Sequence, residues 1–216
     1  MSPKSKLLIS FSVKSCSHLK QLTPAAESGV YIIDPDGEGT LAPFKVTCNM
    51  TDKNGVGVTV ISHDSEKKTL VDGCEEAGCY SRDINYTDAS LSQLASLTSV
   101  SSQCERFIKY ECFDSRLLEG FFGWWVSRDS ENMTYWGGAA PGSGRCACGV
   151  NNSCANKNTS CNCDKNDANW REDSGLLNDK STLPVKELRF GDVDRRRRRD
   201  EKGFHTLGKL KCYGVF

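Results

Sequence analysis

The chain has 216 residues, 28 basic and 28 acidic side chains, and 38% hydrophobic residues. Balanced charge excludes nucleic-acid or other polyanion binding driven by bulk field, and no apolar run reaches the ~20 residues needed to insert across a bilayer. Twelve cysteines against so modest an apolar fraction point to a fold that relies on cross-links.

Residues 1–14 carry two lysines and the short apolar run Leu7-Leu8-Ile9-Ser10-Phe11. The run is shorter than a usual signal peptide and no small-residue cleavage site follows. The segment is expected to be a disordered leader or a fragment boundary, with one domain over 15–214. Residues 15–21 read as a short polar stretch around Cys16. Gly29-Val30-Tyr31-Ile32-Ile33 reads as a strand, Asp34-Pro35-Asp36-Gly37 as a turn, and Phe44-Lys45-Val46-Thr47-Cys48 as a second strand. A third strand, rich in valine, covers 57–62. Together they predict a small antiparallel sheet, and a bond between Cys16 and Cys48 would tie its first hairpin.

Leu91, Leu94, Ala95 and Leu97 fall at helical spacing, with Thr87 or Asp88 as the expected cap of a helix over 88–100. Residues 103–112 alternate, which puts Cys104, Arg106, Ile108, Tyr110 and Cys112 on one face of a strand. Trp124-Trp125-Val126-Ser127 and Met133-Thr134-Tyr135-Trp136 read as a strand pair. Residues 137–173 are rich in glycine, asparagine and cysteine, without periodicity; a loop of this length is usually cross-linked or functional. A late strand over 188–192 and a closing segment over 207–213 complete the chain.

Five cysteines inside that loop read C-x-C-x5-C-x6-C-x-C, from Cys146 through Cys148, Cys154 and Cys161 to Cys163. Structural zinc sites use pairs two to four residues apart, and His18, His63 and His205 all lie far off in sequence. Cysteines one residue apart bond poorly to each other. Each is expected to bond outward to a different segment, so that the loop is tied to neighbouring strands. Asn49, Asn85, Asn132, Asn151 and Asn158 each begin an N-x-[ST] glycosylation triplet. Disulfides and glycosylation triplets together favour an extracellular glycoprotein over an intracellular zinc protein.

Ser15-Cys16, the run from Ser28 to Gly37 and Val46-Thr47-Cys48-Asn49-Met50 resemble the opening of fibrinogen-like C-terminal domains, which fibrillar-collagen propeptides share. The match narrows further on. Cys104-Glu105-Arg106-Phe107-Ile108-Lys109-Tyr110-Glu111-Cys112, Ser115-Arg116-Leu117-Leu118, Tyr135-Trp136-Gly137-Gly138, Cys146-Ala147-Cys148-Gly149, Cys161-Asn162-Cys163-Asp164 and Trp170-Arg171-Glu172-Asp173-Ser174-Gly175 resemble the fibrinogen-like module of contactin-associated proteins, the neurexin-related adhesion receptors. The blocks run in the family's order from about Ser15 to Gly214.

The resemblance implies an α+β domain of the fibrinogen C-terminal type, with antiparallel sheets, few short helices and long disulfide-stapled loops. It implies the Cys16–Cys48 bond as well. Cys74 and Cys79 look additional to the family pattern and are expected to bond locally. Four bonds would satisfy the other eight cysteines, Cys104, Cys112, Cys146, Cys148, Cys154, Cys161, Cys163 and Cys212, with Cys112–Cys212 the trial pairing.

No hydrolase, metalloprotease or phosphate-loop motif is present in the sequence, so no catalytic residue or cofactor is assigned. Asp164, Asp167 and Asp173, with nearby asparagines, offer the oxygen ligands that suit calcium; a solvated acidic loop is the first reading and calcium the second. Trp124, Trp125, Tyr135, Trp136 and Trp170 read first as core and second as a partner or sugar platform. Arg195, Arg196, Arg197, Arg198 and Arg199 read as a solvated loop, a heparan-sulfate contact or a protease cleavage site. The expected function is a non-enzymatic extracellular recognition module in cell adhesion or matrix organisation, secreted or membrane-tethered, with a protein or glycan ligand. The alternative is a secreted calcium-dependent glycan binder of the lectin type.

Overall fold

A computed structural model describes residues 12–194 and 200–215. The arginine run and residues 1–11 of the expected leader lie outside them. Helix α1 spans Cys16–Leu22, followed by β1 Gly29–Ile33, β2 Phe44–Asn49, β3 Val58–Ile61, β4 Thr69–Val71 and β5 Tyr80–Asp83. Helix α2 (Leu91–Val100) leads into β6 (Gln103–Phe113), then β7 (Trp124–Val126) and β8 (Asn132–Met133). After the short helix α3 (Ala147–Val150) come β9 Arg171–Leu177, β10 Glu187–Phe190, β11 Lys202–Leu207 and β12 Leu210–Tyr213. All strand pairs are antiparallel. Eight strands form one sheet, and β5, β10, β7 and β8 form a second.

Strand β6 organises the large sheet. Its eleven residues alternate, and Cys104, Arg106, Ile108, Tyr110 and Cys112 are all buried. One edge pairs with β9 over Arg106–Cys112. The other pairs with β11 and then β12: Leu207 faces Ile108 and Lys211 faces Glu105. That register carries one extra residue on the β11–β12 side, so the two are a single long strand broken by a bulge at Gly208 and Lys209. The bulge splits the sheet's far edge, with β3, β2 and β1 continuing from β12, and β4 from β11.

The inner face of this sheet meets the small sheet through Phe190 of β10. Its ring stacks on Tyr110 (4.5 Å, 17°), lies parallel to His205 (5.9 Å, 4°), and takes the edge of Trp136 at 6.0 Å. Trp125 and Trp136 are fully buried, and their indole N–H groups donate to the Tyr135 and Asp173 carbonyls at 2.9 and 3.1 Å. The segment after β8 that carries Tyr135 and Trp136 crosses β9 at two glycines. A Cβ at Gly175 would sit 2.5 Å from the Gly137 carbonyl carbon, so no larger residue fits there. Arg106, also fully buried, donates to the Tyr86 hydroxyl and lies over that ring. Burial lowers its pKa.

Several elements differ from the sequence reading. Residues 16–22 form a helix because Ser15 caps it at the His18 amide and Cys16 and Ser17 turn onto β3, with Cys16 N–H donating to Thr59 Oγ1 at 3.0 Å. Residues 12 and 13, read as leader, already join the first hairpin: Ser12 Oγ donates to the Asp34 carbonyl at 3.1 Å, and Asp34 N–H donates to the Val13 carbonyl at 2.8 Å. Helix α2 is capped at Ser90 by a reciprocal bond with Gln93, because Asp88 sits at φ +55° outside the helix. Strands β4, β5, β9 and β11 carry too little apolar alternation to be read locally; pairing with neighbours creates them.

All twelve cysteines are bonded. Cys16 joins Cys48, and Cys74 joins Cys79. The Cys112–Cys212 pairing is corrected: Cys104 bonds Cys212 on the adjacent strand, and Cys112 bonds Cys163. The register explains it, since Cys104 and Cys212 are directly opposed. In the long loop, Cys146–Cys161 and Cys148–Cys154 close the loop on itself. The only outward staple is Cys163 to β6, which revises the picture of a loop tied to several strands.

Loop-closure entropy ranks these bonds. Cys104–Cys212 closes a separation of 108 residues and Cys74–Cys79 one of 5. Replacing the first pair by serines is expected to cost about 4–5 kcal/mol, and the second about 2 kcal/mol. Urea unfolding of the two double variants, read at equal ionic strength, checks the order.

Candidate interaction surface

The alternation that buries one row of β6 turns the other row outward: Glu105, Phe107, Lys109, Glu111 and Phe113. Register places Phe204 of β11 and Glu172 of β9 on either side of Glu111, Lys202 opposite Phe113, and Leu176 opposite Phe107. Trp170, just before β9, is 51% exposed, and Phe107 and Leu176 are exposed toward the other end of the β6–β9 pair.

The aromatic rings gather at one end. Trp170 lies 5.5 Å from Phe113 and 5.7 Å from Phe204, centroid to centroid. Lys68 Nζ sits 4.3 Å above the Phe204 ring, and Lys202 Nζ is 5.3 and 5.9 Å from the Phe113 and Trp170 rings. Carboxylates interleave: Lys68 pairs with Glu111 at 2.8 Å, and Lys109 bridges Glu111 and Glu172 at 3.4 and 3.1 Å. The two lysines hold the Glu111 carboxyl below its usual range, against the opposing effect of partial burial. An open recess of about 370 Å³ is lined by Lys68, Glu111, Trp170, Arg171 and Glu172. Such a surface stacks on apolar groups or sugar rings and hydrogen-bonds at its rim.

The aspartates considered for calcium do not form one cage. Asp164 Oδ1 accepts from the amides of Leu117, Leu118 and Glu119 at 2.9, 3.0 and 3.2 Å, and burial raises its pKa. Asp173 accepts from the amides of Asn162 and Cys163 at 2.9 and 2.8 Å, and burial pushes it up to about 6. Asp167 is held well below the carboxylate range by a two-point pair with Arg171, its oxygens 2.7 and 2.6 Å from the guanidinium, helped by Lys165. Each of the three thus serves a different set of donors. Asp164 and Asp173 hold backbone amides and Asp167 holds an ion pair, where a solvated acidic loop had been expected.

Among the aromatics singled out, Trp125, Tyr135 and Trp136 are core, Trp124 is half-buried and Trp170 is on the outer face. The rest of that face was missed, although the second row of β6 is as regular as the first. Asn85, Asn132, Asn151 and Asn158 are exposed, and Asn49 is half-buried. Among the described residues, no helix is long and apolar enough to cross a membrane.

No family model matches the chain. It is 39% identical to Neurexin-4 of Drosophila melanogaster over 209 residues, which is 93% of this chain and 16% of that protein. It is equally 39% identical to contactin-associated protein 1 of mouse and of human, over 191 residues, 87% of this chain and 13% of those proteins. This chain is a homologue of both. The similarity supports the family read from its motifs, and the chain spans only 13–16% of the relatives' length.

Two outcomes follow for the buried groups. Asp164→Ala leaves three amides short of an acceptor and is expected to lose about 2–4 kcal/mol, by the same amount in calcium as in chelator; urea unfolding in both buffers checks this. His205 is fully buried and burial lowers its pKa to about 4. The unfolded imidazole takes its proton near 6.5 and the folded one only near 4, so its contribution is intact above about pH 6.5 and is lost as pH falls toward 4. His205→Leu is expected to flatten the acid limb of the stability–pH curve by about one proton, measured by chemical denaturation from pH 7 to 4.5.

Proposed function

We propose that this chain is an adhesion-receptor module of the neurexin and contactin-associated family, with the fibrinogen-like fold, acting outside the cell by non-enzymatic recognition. The observation that carries the reading is 39% identity sustained over 93% of the chain to Neurexin-4. Six disulfides fit an oxidising compartment. The asparagines of four N-x-[ST] triplets, Asn85, Asn132, Asn151 and Asn158, are exposed, as glycosylation requires.

The contact surface in this reading is the end of that face formed by Phe113, Trp170, Phe204, Lys68 and Lys202. Aromatic anchors ringed by charge are the usual centre of a protein hot spot. The relatives' name records association with contactin, so a contactin ectodomain is the first protein to test. A second reading, glycan binding, is favoured by one feature: the exposed Trp170 ring stands beside the Glu111 and Glu172 carboxylates, the pairing of flat apolar face and acceptor that sugar rings require. The arginine run adds a heparan-sulfate contact to either reading.

A Trp170→Ala/Phe204→Ala variant is expected to weaken binding to cells displaying contactin, or to arrayed glycans, at least ~10-fold. Its melting temperature should stay within a few degrees, since Trp170 is half exposed. Binding unchanged in the variant, by surface plasmon resonance, would remove this face from the function.

A further inference from the structure

Away from the outer face, a second cluster sits at the seam between the two sheets. Glu75 lies on the loop between β4 and β5, Asp192 just after β10, and Glu201 just before β11. One carboxylate oxygen from each lies within 4.8 Å of the other two. Two oxygens bound to the same calcium ion at 2.3–2.6 Å stand no more than about 5 Å apart, so the three already have the spacing of a shared ligand set.

The backbone, not charge, holds them there. The Cys74–Cys79 bond closes the loop that carries Glu75. Asp192 N–H donates to the Glu75 carbonyl at 3.0 Å, and Val193 N–H to the Cys74 carbonyl at 2.9 Å. A Cβ at Gly191 would meet the Glu76 carbonyl oxygen at 2.1 Å, so glycine permits the loop to approach β10 this closely.

Asp192 and Glu201 are 5% and 8% exposed. Asp192 Oδ2 accepts the Arg116 amide at 2.9 Å. Glu201 Oε2 is cut off from solvent and accepts no hydrogen bond. Glu75 and Asp114 have further interactions of their own; Asp192 and Glu201 are the two buried members of the set. Asp192 and Glu201 oppose each other as like charges at this spacing, a repulsion that a cation between them relieves. Burial, with the charges of Asp192, Glu75 and Asp114, pushes Glu201 up to about 7.

We propose that Glu75, Asp192 and Glu201 bind a hard divalent cation, with calcium matched in size and ligand type. An all-oxygen, anionic set of this kind selects calcium over soft transition metals. The ion would join the large sheet, through β4 and β11, to the small sheet, through β5 and β10. It would also fasten both ends of residues 193–200, the segment that carries the five arginines.

Calcium chloride titrated into the folded chain at pH 7.4, up to about 5 mM as suits extracellular modules, is followed by calorimetry and by thermal unfolding against a chelator control. The wild type is expected to bind with heat and to melt several degrees higher in calcium. Glu201→Gln is expected to bind at least ~10-fold more weakly, with no calcium-dependent shift, and to fold as well as the wild type in chelator because its side chain is neutral. Glu75→Gln, on the least buried ligand, gives the same readout should Glu201→Gln fail to fold. Three results overturn the proposal: no heat or shift in the wild type, unchanged affinity in both variants, or stability of the wild type that follows pH near 7 and ignores calcium, which assigns the bridge to a proton.

Discussion

The fold depends on one strand. β6 puts five consecutive inward side chains into the core, two of them cysteines at opposite ends. Cys104 is bonded to the strand beside it, and Cys112 to the long loop. The inward row therefore fixes the register of β12, docks the loop through Cys163, and offers Tyr110 as the floor on which Phe190 of the small sheet stacks. With 38% hydrophobic residues, the chain has little spare apolar area elsewhere. Covalent bonds at both ends of its best-packed strand supply constraint that a thicker core would otherwise have to provide.

The long loop follows a second rule. It contains almost no regular structure, yet its backbone groups need partners. Asp173 accepts the amides of Asn162 and Cys163 within the loop, and Asp164 fastens the loop to the distant amides of Leu117, Leu118 and Glu119. Burying the two carboxyls is opposed by desolvation, which raises both, and offset by these amide bonds. The same residue type thus does different work at each place: backbone clamp at Asp164 and Asp173, ion pair at Asp167, and acceptor for the Arg116 amide at Asp192.

With the inward row of β6 committed to core and cysteines, its outward row is free to vary in chemistry. There the sheet carries rings, lysines and carboxylates in register across three strands, so that Lys68 and Lys202 each serve a ring and an acid and Lys109 joins two acids. A rigid sheet displays such a surface at little entropic cost on binding, since its side chains already hold each other in place.

The sequence by itself determined the alternation of β6, the first hairpin, α2, the dependence on disulfides and the family resemblance, because each is carried by local period, composition or an ordered series of motifs. It also contained the outward row, whose residues Phe107, Lys109, Glu111 and Phe113 alternate as regularly as the buried ones. Tertiary structure alone decided the rest. β4, β5, β9 and β11 exist through pairing; the partners of Cys104, Cys112 and Cys212 follow from register; and the meeting of Phe113, Trp170 and Phe204 joins three separate strands. The reason is common to all: a strand's neighbours, a cysteine's partner and a carboxylate's donors are set by contacts between residues tens of positions apart, and local spacing carries no record of which distant segment arrives.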